Sequence, residues 1–254
     1  MAKKEAGFVK NNLNFFINSF KRIKLVIFLI LLLDFAFYFI FIQLGNLFIK
    51  ILTEKANSIN LEQSLGSLNQ QAAVSILGSL RGFFIFLIFS IMLFLIIMIV
   101  NCSLFKGIIW NLSANKRFSL KFFKKFLLLN LIWIPLWFLA ILLLDVIIKP
   151  EIAIIYILIL GIIAFYFTEI LYPLFLKDNK IKNIKEAFRL GIKKMHYFVF
   201  PYAIIIFILF VFLKMHNLVG AKIDLNPTFY LVPILVLAAW LRYYFLEIVD
   251  KISQ

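Results

Sequence analysis

Three ionisable residues interrupt otherwise apolar stretches: Asp34 in LILLLDFAFY, Glu169 in AFYFTEILYP and Arg242 in LAAWLRYYFL. A charged group set among aliphatic neighbours is costly to keep in an apolar medium, so it is a functional candidate by default. The carboxyls suit proton or cation handling, and the guanidinium suits a counter-ion. A second kind of chemistry lies in cations interleaved with apolar residues. In Lys121–Phe126 the basic Lys121, Lys124 and Lys125 alternate with Phe122, Phe123 and Phe126. In NKIKNIKEAFRLGIKKMHY, the cations Lys182, Lys185, Arg189, Lys193 and Lys194 surround Ile184, Ala187, Phe188, Gly191, Ile192 and Met195, which fall at helical spacing. Such a basic amphipathic helix suits the headgroup layer of an anionic leaflet, where each cation contributes about 1 kcal/mol.

Other chemistry is not written in the chain. It has no Walker loop, H-E-x-x-H, G-x-S-x-G or Cys/His cluster. Cys102 is the single cysteine, and His196 and His216 stand apart from each other. The reading is therefore non-enzymatic: no catalytic residues, no cofactor and no metal site.

Membrane helices carry these residues. The 254 residues are 64% hydrophobic and 15% charged, against about 45–50% and about 25% in soluble domains. Mean hydropathy is +1.03. Six apolar stretches each approach the roughly 20 residues that span a bilayer: 25–48, 83–104, 126–147, 152–175, 197–213 and 229–248. The first is too long for a secretory signal core of about 7–15 residues and lacks a small-residue cleavage site, so it reads as a retained span. Period-2 alternation is absent, and open backbone cannot face lipid, so the spans are helices. The fold class is all-α, a single six-span bundle over 1–254, with amphipathic interfacial helices before spans 1, 3 and 5. Ser119, and Asn183 with Glu186, read as N-caps for two of them. Leu13, Phe16, Ile17 and Phe20 form the apolar stripe of the first. Pro150 marks the start of the fourth span.

Orientation follows from the cations. Of the 27 Lys and Arg, six lie in Met1–Lys24, six in Asn101–Lys125 and seven in Leu176–Met195. The alternate segments hold Lys50, Lys55 and Arg81, then Lys149, then Lys214 and Lys222. The positive-inside rule puts the rich segments and both termini in the cytoplasm, in a multi-pass protein of the cell membrane. The net charge of +15 is then spent on topology and on anionic inner-leaflet headgroups, with no role for nucleic acid. The external segment 50–81 carries a helical stripe of Leu61, Leu65, Leu68, Ala72, Ile76 and Leu80, with Asn60 and Gln63 as a cap; it reads as a cover over the bundle or as a ligand lid.

Depth brings the intramembrane charges together. Asp34 lies about nine residues into its span, roughly 14 Å at 1.5 Å per residue. Glu169 and Arg242 lie at matching depths from the inner face, which makes them an expected pair. Asp34 has no basic residue at its own depth, although Arg242 can reach toward it; it is either a proton or cation site, or a structural group served by Gln43, Ser90, Asn101 or Asn130.

Tyr172-Pro173-Leu174-Phe175, a short polar loop and then NIKEAFRLGIKK before a new span resemble a family of uncharacterised six-helix membrane proteins of bacteria and archaea. Related domains are fused to glycerophosphodiester phosphodiesterases. The match rests on Glu186-Ala187 and Gly191, and lacks the Ser and Trp more usual around that helix. It implies a six-helix fold and a membrane role, and no catalytic residues. Two functions follow as expectations. One is a protein that organises lipid, a membrane partner or its own copies through a basic inner collar. The other is a small transporter or channel subunit using Asp34, Glu169 and Arg242.

Overall fold

Long runs of Leu, Ile and Phe leave the backbone no water to bond, so it must satisfy itself within each segment. The computed structural model, which describes residues 12, 14–23, 25–58, 70–220 and 231–252, is all-helical, with no strand among those residues. Helix α1 covers residues 14–22. It is followed by α2 (Val26–Asn57), α3 (Gln70–Ser113), α4 (Leu120–Ile147), α5 (Pro150–Asp178), α6 (Asn183–Lys193), α7 (Met195–Gly220) and α8 (Leu231–Ile252). Four of these, α2 to α5, contain stretches long and apolar enough to cross a membrane. A fifth is added if α6 and α7, bent by 76° at their junction, are taken as one. The exposed side chains agree: Phe28, Ile154, Leu158 and Ile162 are each more than 60% exposed, a surface suited to lipid.

The helices outrun the apolar stretches that announce them. The 44 residues of α3 are about 66 Å long at 1.5 Å each, about twice a hydrocarbon core. Segment 50–81 is therefore no loop at its ends: 50–57 continue α2 and 70–81 continue α3. The stripe at Leu61, Leu65 and Leu68 and the cap at Asn60 and Gln63 lie outside the described residues.

Two of the local signals act as read. Ser119 sits in extended backbone, and its hydroxyl accepts from the N–H of Phe122 at 3.2 Å, capping α4. Pro150 opens α5, where its missing N–H costs nothing. The capping box at Asn183 and Glu186 does not form. Lys182 precedes α6 in helical conformation without a side-chain cap. The Asn183 amide donates instead to the carbonyl of Leu174 (3.0 Å) and to Asp178 Oδ1 (2.6 Å). It ties the start of α6 to the end of α5, which stops at Asn179 in left-handed backbone (φ 54°).

By packing, the chain falls into two units, Met1–Phe35 with Ser103–Gln254, and Ala36–Cys102. The second comprises the remaining parts of α2 and α3, with Phe48 stacked on Phe94 at 4.4 Å between ring centroids. The first holds the core and all the charges discussed below. Its centre is α8. From Ala239 to Val249 every residue is buried, so this part of the helix is enclosed by protein on every side. Aromatic rings fill the space around it and around α5: Trp110, Phe126, Trp133, Tyr172, Phe175, Phe198, Trp240, Tyr244 and Phe245. Only a helix so enclosed can carry Arg242 and Glu247 away from lipid, because α5, α1 and α2 bring it partners.

Candidate functional site

The site is assembled from one charge on each of four helices. Asp34 of α2 is fully buried. Arg242 of α8 reaches it with both terminal nitrogens, Nη1 to Oδ2 at 2.6 Å and Nη2 to Oδ1 at 2.9 Å. Lys106 of α3 donates to Oδ1 at 2.9 Å. The planar fork of arginine matches a carboxylate in this two-bond arrangement. A buried carboxylate is expensive unless paired and hydrogen-bonded, and Asp34 is both.

Glu169 of α5 is the fourth member. Its carboxyl interacts electrostatically with Arg242, Lys106 and Asp34, yet its Oε2 makes no hydrogen bond, and neither do Nε of Arg242 nor the hydroxyl of Tyr202. Tyr202 of α7 in turn interacts electrostatically with Glu169. The backbone adds to this. Pro173 lies four residues on, so it supplies no N–H to the Glu169 carbonyl. Two acids and two bases thus share one buried site, with one carboxylate accepting three hydrogen bonds and the other keeping an oxygen without one.

The expected partners are therefore rearranged. Arg242 pairs with Asp34, not with Glu169, because α8 presents its guanidinium to α2. The charge count groups Lys106 with the topological cations beyond the second span. It lies inside α3, seven residues before that helix ends at Ser113, and its apolar flanks (CSLFKGIIW) were the available signal. Of the polar helpers, Asn130 accepts from the hydroxyl of Tyr172 at 2.9 Å and donates to Ser103 Oγ at 3.0 Å. Gln43, Ser90 and Asn101 belong to the other unit.

A second set of ion pairs fastens the last turns of α8. Arg22 bridges Glu247 (2.8 Å) and Asp250 (2.9 Å). Lys177 of α5 reaches Asp250 at 3.6 Å and donates to the Val249 carbonyl at 2.8 Å. Trp240 Nε1 donates to Ser19 at 2.9 Å, and Phe16 and Phe20 pack on the same indole. The face that α1 turns inward carries Phe15 and Ser19, while Ile17 and Phe20 stay half exposed; Leu13 lies outside the described residues.

The collar cations sit elsewhere. Lys121, Lys124, Lys125, Lys182, Lys185, Arg189, Lys193 and Lys194 are all exposed, while Phe122, Phe126, Ala187, Leu190 and Gly191 are buried; Ile192 and Met195 of the expected apolar face are exposed instead. Arg189 pairs with Glu186 one turn back at 2.5 Å. Gly191 is where α6 meets α5 most closely: a Cβ there would lie 2.6 Å from Phe167 and 3.1 Å from Ile170. The hydroxyl of Tyr166 donates to the Gly191 carbonyl at 2.8 Å and holds the approach. No protein-family model matches the chain, and neither a curated protein nor a solved structure does.

Proposed function

We propose that this is a non-enzymatic, multi-pass protein of the cell membrane whose basic inner collar gathers anionic headgroups and holds them, or a membrane partner, against the bundle. In this reading α8 is the sixth span, both termini are cytoplasmic, and α1, α6 and the start of α4 lie along the inner leaflet. The resemblance to six-helix membrane proteins supports that span count. The observation that carries the reading is the division of faces on α4 and α6: six exposed cations on the two helices, and two more at the ends of α6, around buried apolar residues. The 76° bend between α6 and α7 fits a helix that lies in the headgroup layer and then turns into the membrane. The intramembrane charges act in this account as a lock, since Asp34 accepts three hydrogen bonds from Arg242 and Lys106.

The test is binding of anionic vesicles or lipid by the purified protein. Replacing Lys185, Arg189 and Lys193 together with Gln removes that binding, and Asp34→Asn leaves it unchanged. Binding that survives the triple replacement refutes the collar.

One observation favours the second reading, a small transporter or channel subunit. Glu169 keeps a buried carboxylate oxygen without a hydrogen bond, beside groups of both signs. That reading requires pH-dependent flux in liposomes that Glu169→Gln abolishes.

A further inference from the structure

An apolar groove of about 420 Å³ opens where α5, α6 and α7 meet. Its walls include Ile163, Phe167, Gly191, Ile192, Val199 and Tyr202. No charged side chain lines it, and Ile192 is 69% exposed at its edge. In sequence Lys193 and Lys194 lie between the lining residues Ile192 and Met195, at the bend, and both are exposed; Lys194 also lines a neighbouring pocket with Asn14, Phe15, Tyr197 and Lys251. The chain at this edge of the groove therefore carries two adjacent cations within the reach of a flexible side chain, and no carboxylate is among the groove's walls. An occupant that complements both parts is an amphiphile with an apolar chain and an anionic end.

We propose that this groove is a binding site for one anionic phospholipid, with an acyl chain along α5 and α7 and its phosphate on Lys193 and Lys194. The proposal rests on the reading that α6 lies at the inner leaflet. Surrounding lipid tails are as apolar as the groove, so burial alone gives no preference over bulk lipid. The lysines supply the selectivity for an anion, and the groove supplies the position. Gly191 makes the site possible, because α6 reaches α5 only without a Cβ.

The experiment is native mass spectrometry of the full chain in detergent, titrated with phosphatidylglycerol or phosphatidylcholine. Val199→Trp fills the groove and keeps every charge; Ile163→Trp is a second filling variant, and helicity with monodisperse elution checks both. Filling the groove should weaken the first-bound phosphatidylglycerol about tenfold, equivalent to about 1.4 kcal/mol. Neutralising both lysines (K193Q/K194Q) should weaken it about 30-fold, from about 1 kcal/mol per cation. K121Q/K124Q/K125Q should leave the first lipid bound as in the wild type. If folded filling variants bind phosphatidylglycerol normally while the lysine variants lose it, the groove is overturned and the collar reading stands. Equal binding of the two lipids at the first site, or a dimer that filling dissolves without any lipid bound, also overturns the groove. If no basic replacement affects either lipid, both readings fail.

Discussion

Arg242 and Asp34, 208 positions apart in sequence, are joined by two hydrogen bonds of 2.6 and 2.9 Å at the buried centre of the bundle. This pair joins the last helix to the first long one. Lys106 makes it a triad, so the two partners of Asp34 are not equivalent.

The triad predicts an order of damage. Asp34→Leu strands two buried cations and should cost at least the about 3–5 kcal/mol of a broken buried pair. Arg242→Met leaves Asp34 with Lys106 and should cost less. Thermal unfolding in detergent measures both, and a larger loss for Arg242→Met would refute the assignment.

Two glycines should respond in opposite ways. At Gly191 a Cβ would press on Phe167 and Ile170, so Gly191→Ala should destabilise by about 1–3 kcal/mol, as overpacking does. At Gly161, within α5, a Cβ meets nothing within 4 Å, so Gly161→Ala should stabilise by up to about 1 kcal/mol through helix propensity. Melting temperatures of the two variants check the contrast.

Asn183 should matter as a tie between helices. Asn183→Ala removes the bonds to the Leu174 carbonyl and to Asp178 and should cost about 1–3 kcal/mol, the penalty of a buried group left without its partner. Hydrogen exchange should quicken across α6 first. Glu186→Ala, with no capping box to break, should leave the start of α6 protected.

Lipid binding by the collar should weaken with salt, because exposed charges are screened beyond about 8–10 Å near physiological ionic strength. Binding of anionic vesicles measured from 50 mM to 500 mM salt, both round working concentrations near that range, should fall steadily. The unfolding of the protein should change little over the same range, since the Asp34 triad is buried.

The long apolar helices were legible in the sequence, because a run such as Phe83–Val100 admits no other solvent than lipid. The cap at Ser119 and the helix start at Pro150 were legible for local reasons: each acts on its own neighbours. The choice between Glu169 and Asp34 as the partner of Arg242 was not. Depth along a span is one coordinate, and a side-chain pair also needs the rotation of each helix and its neighbours, which packing decides. Lys106 was hidden by the same gap, since a cation two turns inside a helix end and one in the headgroups look alike in a charge count. Asn183 had two competing roles, cap and cross-tie, and the tertiary bonds to α5 won. The enclosure of α8 had a trace in its composition, with Arg242, Glu247 and Asp250 on one helix, but charge alone does not say which helices supply the counter-ions.

The role of the basic collar is decided by the affinity of the purified full chain for anionic against zwitterionic lipid, compared between wild type, K185Q/R189Q/K193Q and Asp34→Asn. The wild type and Asp34→Asn should prefer anionic lipid equally, and the triple variant should lose the preference by about two orders of magnitude, at about 1 kcal/mol per cation. An undiminished preference in the triple variant, or its loss in a folded Asp34→Asn protein, would contradict that role.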